Sequence, residues 1–167
     1  MSLSLLPRYC TQALTDLTPE KLQRAGIRLL MMDFDNTIVP YTTDVPTEQM
    51  RLWLERMQAS PVKIAIVSNS KNSRLVHFCE KYGLEYTMRA HKPSPKGLHT
   101  CMETLGFRPE ESAIVGDQIF TDTLAGNLAG VAPILVKAID NHTIWLKARH
   151  VLELPFVFAA RKRRLET

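Results

Sequence analysis

Apolar residues come in short runs divided by glycine, proline and small polar residues, and the runs alternate between a strand-like and a helix-like period. Residues 27–34 are apolar on both faces, as a central strand of a covered parallel sheet must be. Ahead of them, Thr18-Pro19 reads as an N-cap with proline in the first turn of a short helix that Gly26 closes. Behind them, Pro46 or Thr47 opens a helix carrying Met50, Leu52, Leu54 and Met57, which ends before Ser60-Pro61. Residues 62–67 form the second strand. Asn72 or Ser73 then starts a helix with Leu75, Val76, Phe78 and Cys79 that Gly83 stops, and residues 85–88 are a short third strand. Residues 95–105 are helical up to Gly106, residues 113–115 are a fourth strand, residues 120–129 a helix ended by Gly130, and residues 131–136 the fifth strand. This alternation predicts a three-layer α/β/α sandwich around a five-stranded parallel sheet with right-handed crossovers. Ligands of such sheets sit at the carboxyl ends of the strands.

Polar clusters follow four of the strands. Asp33-Phe34-Asp35-Asn36-Thr37 comes after the first, Ser68-Asn69-Ser70 after the second, Lys92-Pro93 after the third, and Gly116-Asp117-Gln118 with Thr121-Asp122 after the fourth. Two acids two residues apart on an extended chain share a face, while Phe34 between them points into packing. One carboxylate can attack while the other handles protons. Anions so close repel unless a cation intervenes, which implies a hard, oxygen-loving ion such as Mg²⁺. At one rim, acids, a hydroxyl and an ammonium make a phosphate pocket.

Each residue also has a plainer reading. Lys92 would serve as a surface lysine beside a turn-making proline, Ser68 and Asn69 as caps of the next helix, and Asp122 as an acid favoured by a helix dipole. His77, His91, His99, His142 and His150 show no ligand spacing, so they are read as structural or surface residues, with His91 beside Lys92 as the one candidate substrate contact. Trp53 and Trp145 are read as packing residues.

Length and composition fit one domain over residues 1–167, with a core at 27–136 and a C-terminal segment at 137–167. Hydrophobic residues make up 45% and charged residues 23%, which predicts a folded, soluble globule with any disorder confined to the ends. The three cysteines lack Cys-x-x-Cys spacing, and the first residues have neither a basic start nor a long apolar core. No stretch approaches the roughly 20 apolar residues of a membrane span. A reducing cytoplasm is the expected location. From Lys137 onward there are seven basic and three acidic residues, so the whole net charge of +4 lies there. Arg161-Lys162-Arg163-Arg164 is either a solvated tail or a surface for phosphate or membrane, and contact with anionic lipid is the partner expectation it raises. No nucleic-acid motif or aromatic-interleaved basic patch accompanies it.

The ordered set Asp-x-Asp-x-Thr, Ser after the second strand, Lys, and Gly-Asp-x-x-x-x-Asp resembles the haloacid dehalogenase-like superfamily of phosphohydrolases, with its Rossmann-like sheet. The Asp-Asn-Thr form, the Leu6-Pro7 and Gly26-Ile27 context and Gly-Asp-Gln-x-x-Thr-Asp are similar to its subclass IIIA, specifically the YqeG-like phosphatases related to phosphatidylglycerophosphate phosphatases. The resemblance implies that Asp33 is the nucleophile forming an aspartyl-phosphate and also a ligand of Mg²⁺. Asp35 would be the general acid/base, with its backbone carbonyl on the metal. Ser68 and the Asn69 backbone amide would hold the phosphoryl oxygens, and Lys92 would offset the charge. Asp117 would bind Mg²⁺, and Asp122 belongs to the metal set directly or through water that it orients. Thr37 stabilises the loop.

The spacings between Asp33, Ser68 and Lys92 leave no room for a cap domain. An open rim shaped by residues 38–45 suits a large or surface-bound substrate, or closure by a neighbouring subunit of a homo-oligomer. The leading expectation is a Mg²⁺-dependent phosphomonoesterase, with phosphatidylglycerophosphate ahead of soluble sugar, nucleotide or polynucleotide phosphates. The alternative of another class is a non-catalytic binding or scaffold module, which would not need both acids of the first motif.

Overall fold

The computed structural model of the chain describes residues 4–140. The buried run Leu29–Met32 (β2) is the axis of the fold, with all four side chains out of solvent. Thr18 caps the preceding helix, Pro19–Arg24 (α1), and the left-handed Gly26 (φ 75°) turns the chain into β2. Thr47 caps Glu48–Gln58 (α2), which leads to Lys63–Val67 (β3). Asn72 caps Ser73–Tyr82 (α3), Gly83 ends it, and Glu85–Thr87 (β4) follows. Lys96–Leu105 (α4) and Ser112–Gly116 (β5) come next, then Leu124–Ala129 (α5) and Ala132–Val136 (β6).

The sheet has six parallel strands, not five: Tyr9–Thr11 (β1) lies along β6 as an edge strand, giving the order β1-β6-β5-β2-β3-β4. Three half-buried residues are too short to show an alternating pattern, which is why the sequence conceals β1. The strand expected over residues 27–34 shortens to four residues, although Asp33 N–H still donates to Val115 O at 2.9 Å. The helix expected over residues 120–129 is split, because Ile119–Thr123 is a wide π turn before α5.

Register explains the site's location. Met32 pairs with Ile66 on one side and Val115 on the other, so β2, β3 and β5 end level and their following residues emerge at one rim. The chain leaves β2 toward β3 on one side and returns through β5 on the other. β2 is therefore the switch point at which such sheets bind ligands.

Alternate β2 residues fill two cores. Leu30, Met32 and Phe34 pack with Trp53, Met57 and Phe78 beneath α1 to α3, while Leu29 and Met31 pack with Leu98, Met102 and Ala129 beneath α4 and α5. Trp53 is a packing residue, its indole N–H donating to Leu17 O at 2.7 Å. One helix separates β2 from β3 and one separates β3 from β4, with no inserted cap. Among the described residues no helix is long and apolar enough to cross a membrane. Trp145, the apolar run 154–158 and the basic cluster at 161–164 lie outside the described residues.

Phe78 is buried at 1% exposure and meets Phe34 edge-on with ring centres 5.2 Å apart. Phe78→Ala should destabilise the fold by about 3–5 kcal/mol in urea denaturation at an unchanged slope. A loss within 1 kcal/mol, by the same rough scale, would show that the ring is not a core support.

Candidate active site

The end of β2 delivers the first two acids. Asp33 continues the strand and is 8% exposed, while Phe34 turns into the core at 0% exposure, as the alternation of side chains requires. The chain then reverses through Asn36, whose φ of 65° is a left-handed conformation that asparagine tolerates better than most residues. Asn36 N–H donates to Val39 O at 2.7 Å and Ile38 N–H to Phe34 O at 3.0 Å. The Asn36 side chain also grips the segment after β6, since Asp140 N–H donates to its Oδ1 at 2.9 Å and its Nδ2 donates to Asp140 O.

Lys92 is the centre of the site. Its ammonium is buried, donating to Asp33 Oδ1 at 2.7 Å and to Asp122 Oδ1 at 2.6 Å. The main chain at Lys92 is clamped from β3: Asn69 Oδ1 accepts from Lys92 N–H at 2.7 Å and Asn69 Nδ2 donates to Lys92 O at 2.9 Å. Arg89 and His91 beside it both have positive φ, 49° and 55°. Such backbone conformations persist only where the surroundings over-determine them.

Asp122 reaches Lys92 because of the π turn. Asp122 N–H and Thr123 N–H both donate to Gln118 O, and Asp122 Oδ2 accepts from Gln118 N–H at 3.2 Å. Gly116 makes room: a Cβ there would overlap the Asp122 carboxylate. Lys92 is therefore no surface lysine, and Asp122 has a specific ionic partner beyond any helix dipole.

Asp33, Asp117 and Asp122 each present a ligand atom within 4.8 Å of the others. Asp117 Oδ1 is buried with no hydrogen-bond partner, an expensive state for a carboxylate oxygen. Burial, with Asp33 and Asp122 close by, pushes the Asp117 carboxyl up to about 8. Burial likewise pushes Asp33 up to about 6 against the pull of Lys92. Burial opposes the charge on Lys92, but Asp122 and Asp33 outweigh it and hold the ammonium above its ordinary range. Three crowded acids with one lysine leave a surplus of negative charge and a bare oxygen. That donor set fits a hard divalent cation.

Asp35 stands apart from this cluster. Its carboxylate pairs with the Arg74 guanidinium, although it lines the same cavity of about 210 Å³ as Asp33, Ser68, Asn69 and Lys92. Ser68 Oγ accepts from Ser70 N–H at 3.1 Å, and the cap of α3 is Asn72, which removes the capping role considered for Ser68 and Asn69. Thr37 is buried with Oγ1 unpartnered. His91 is exposed and does not line the cavity. Sequence reasoning passed over Arg74, Tyr41, Gln118 and Thr121. The last three line the cavity, and Gln118 and Thr121 lay unassigned inside a motif already recognised.

An acid held by a buried lysine, an acidic triad with one bare oxygen and a polar cavity at the switch point of a doubly wound sheet fit a phosphate-ester hydrolase site. The sequence model described as "Haloacid dehalogenase-like hydrolase" matches residues 42–136. The chain belongs to that family and is a phosphatase. Among its relatives is the probable phosphatase YqeG of Bacillus subtilis, 32% identical over 131 residues that span 78% of this chain and 76% of that protein. In fold it is similar to the magnesium-, phosphate- and KDO-bound 3-deoxy-D-manno-octulosonate 8-phosphate phosphatase of Moraxella catarrhalis, with a TM-score of 0.54 and 19% identity over 88% of this chain and 95% of that one. The cobalt-bound deoxy-D-mannose-octulosonate 8-phosphate phosphatase of Haemophilus influenzae gives a TM-score of 0.55 and 15% identity over 86% and 93%.

The raised Asp117 carboxyl sets a sign for stability. Between its ordinary value of 3.8 and about 8, the folded chain keeps a proton that the unfolded chain has lost, so this group's contribution falls as pH rises through that window. A divalent cation bound at this carboxylate would replace the proton. In thermal melts of chelated protein, added Mg²⁺ should therefore raise the melting temperature more at the top of this window than at the bottom. An increment independent of pH would contradict the placement of the cation at Asp117. Gly116→Ala should push Asp122 off Lys92 and reduce turnover by more than about tenfold with the fold retained; full activity would show the close approach to be dispensable.

Proposed function

We propose that the chain hydrolyses a phosphomonoester with Mg²⁺ through an aspartyl-phosphate on Asp33. The observation that carries this reading is Lys92 Nζ bridging Asp33, which lines the cavity with it, to Asp122. The proposed metal set is Asp33, Asp117 and Asp122 with the Asp35 carbonyl, and the bound ion would draw charge from the phosphoryl oxygens. An Asp33 carboxylate oxygen attacks phosphorus as the bond to the leaving oxygen breaks. Asp35, protonated, gives its proton to that oxygen. Asp35 then takes a proton from water, whose oxygen attacks phosphorus and frees Asp33 and inorganic phosphate. Ser68 and the Asn69 amide hold the phosphoryl oxygens, and Lys92 steadies the growing charge.

The substrate placed first is phosphatidylglycerophosphate. It is supported by the subclass resemblance, by the absence of an inserted cap, and by the exposed Tyr41 and Val45, 47% and 62% accessible, on the rim loop. The concentration of positive charge after residue 136 supports peripheral contact with anionic lipid, by roughly 1 kcal/mol per basic residue near the surface. A soluble sugar or nucleotide phosphate is the competing substrate. In this reading the chain acts as one domain in the cytoplasm or at the membrane surface.

Asp33→Asn should abolish turnover of p-nitrophenyl phosphate and prevent phosphate from appearing on the protein in acid-quenched mass spectra. Labelling at another residue, or wild-type turnover, would overturn the assignment. Lys92→Ala should impair binding and chemistry together, and Lys92→Arg should restore neither fully, because a planar fork replaces a compact ammonium. Turnover of vesicle-borne phosphatidylglycerophosphate should exceed that of soluble phosphates and weaken with salt. Preference for a soluble ester would overturn the lipid reading while leaving the mechanism.

A further inference from the structure

Arg74 is a cation at the rim that the mechanism above does not use. It enters from the first turn of α3, where Asn72 Oδ1 accepts the Arg74 N–H at 3.0 Å and so fixes its backbone. From there the guanidinium makes three kinds of contact. Nη1 donates to Pro40 O at 2.9 Å and to Thr43 O at 2.6 Å, Nη2 donates to the Asp35 carboxylate, and the plane lies over the Phe34 ring at 5.0 Å from its centre. Arg74 thus touches two consecutive residues of the first acidic motif and two carbonyls of the rim loop, on either side of Tyr41. Its side chain is 17% exposed and that of Asp35 is 18% exposed, so water competes little for the pair.

We propose that Arg74 is the positioning residue of the proton-transfer step: it fixes the Asp35 carboxylate and the rim loop as one unit, aimed at the leaving oxygen. The proposal rests on the acid role of Asp35 given above. Geometry separates the two acids. Lys92 holds Asp33, together with Asp122, from the β3–β4 side, and Arg74 holds Asp35 from α3, so Asp33 and Asp35 do not compete for one cation. Without Arg74, Asp35 loses its fixed direction and the carbonyls of Pro40 and Thr43 each lose a charged donor. A lysine cannot replace it, because one ammonium cannot span a carboxylate and two carbonyls in the fork geometry that a guanidinium supplies.

The consequence falls on poor leaving groups. An alkoxide needs a proton as it departs, whereas p-nitrophenolate does not, so misaimed Asp35 penalises alkyl esters and spares the activated aryl ester. With the full chain in Mg²⁺, Arg74→Ala should lower kcat on glycerol phosphate on the order of ten- to a hundredfold and on p-nitrophenyl phosphate by only about threefold. Added guanidinium should restore part of the alkyl-ester rate, and Arg74→Lys should show the same selectivity in weaker form. Asp35→Asn should show that selectivity at its strongest. If Asp35→Asn is selective and Arg74→Ala is not, the proposal falls alone, and Arg74 is a strut that lowers both rates equally. If Asp35→Asn shows no selectivity, the acid role falls and the proposal with it. Should Arg74→Ala fail to fold, Arg74→Lys supplies the same comparison, with equal losses on both esters overturning the proposal.

Discussion

Like charge in a dry place is the constraint on which the rest of the structure depends. Two unit charges about 4 Å apart repel by roughly 4 kcal/mol at the effective dielectric of a protein edge, and Asp33, Asp117 and Asp122 are brought to such distances. The buried Lys92 ammonium offsets that repulsion for Asp33 and Asp122 and leaves Asp117 uncompensated. Much of the local irregularity serves this arrangement. Asn69 clamps the Lys92 backbone, the residues before Lys92 take left-handed conformations, Gly116 gives up a side chain, and the π turn swings Asp122 inward. A buried ion cluster of this kind is poor support for stability in itself, since desolvation opposes it. Its value is the fixed direction of its members and the positive charge held among them on Lys92.

The same constraint divides labour between the carboxylates. Asp33 and Asp35 are two residues apart, yet Lys92 and Arg74 hold them from different elements. One acid is thereby kept beside Asp117 and Asp122 and the other beside the rim loop. A single cation between them would draw both carboxylates to one point. The level ends of β2, β3 and β5 make the division possible, because each cation arrives from a segment whose register the sheet fixes.

Residues whose signal is periodic or punctuated were legible in the sequence. The apolar run before Asp33, the caps at Thr18, Thr47 and Asn72, and the stops at Gly26, Gly83, Gly106 and Gly130 all stand where local chemistry puts them. The convergence of Asp33, Ser68, Lys92 and Asp117 followed from strand order alone. Illegible features depended on tertiary partners. β1 exists because β6 offers an edge, and Arg74 looks like any helix-surface arginine until Asp35 and the 40–43 loop fold against it. The π turn has no local signature either, because its form comes from the pull between Gln118, Asp122 and Lys92.

The central claim is that Lys92 and the acids it bridges form one coupled electrostatic unit. A double-mutant cycle between Lys92→Met and Asp122→Asn, read as unfolding free energy in chelated protein, measures that coupling directly. Lys92→Met leaves crowded carboxylates unpaired and should be the more damaging single change, and neutralising Asp122 should then recover part of the loss, with a coupling of about 1–3 kcal/mol. Additive effects, with no recovery in the double variant, would contradict the account.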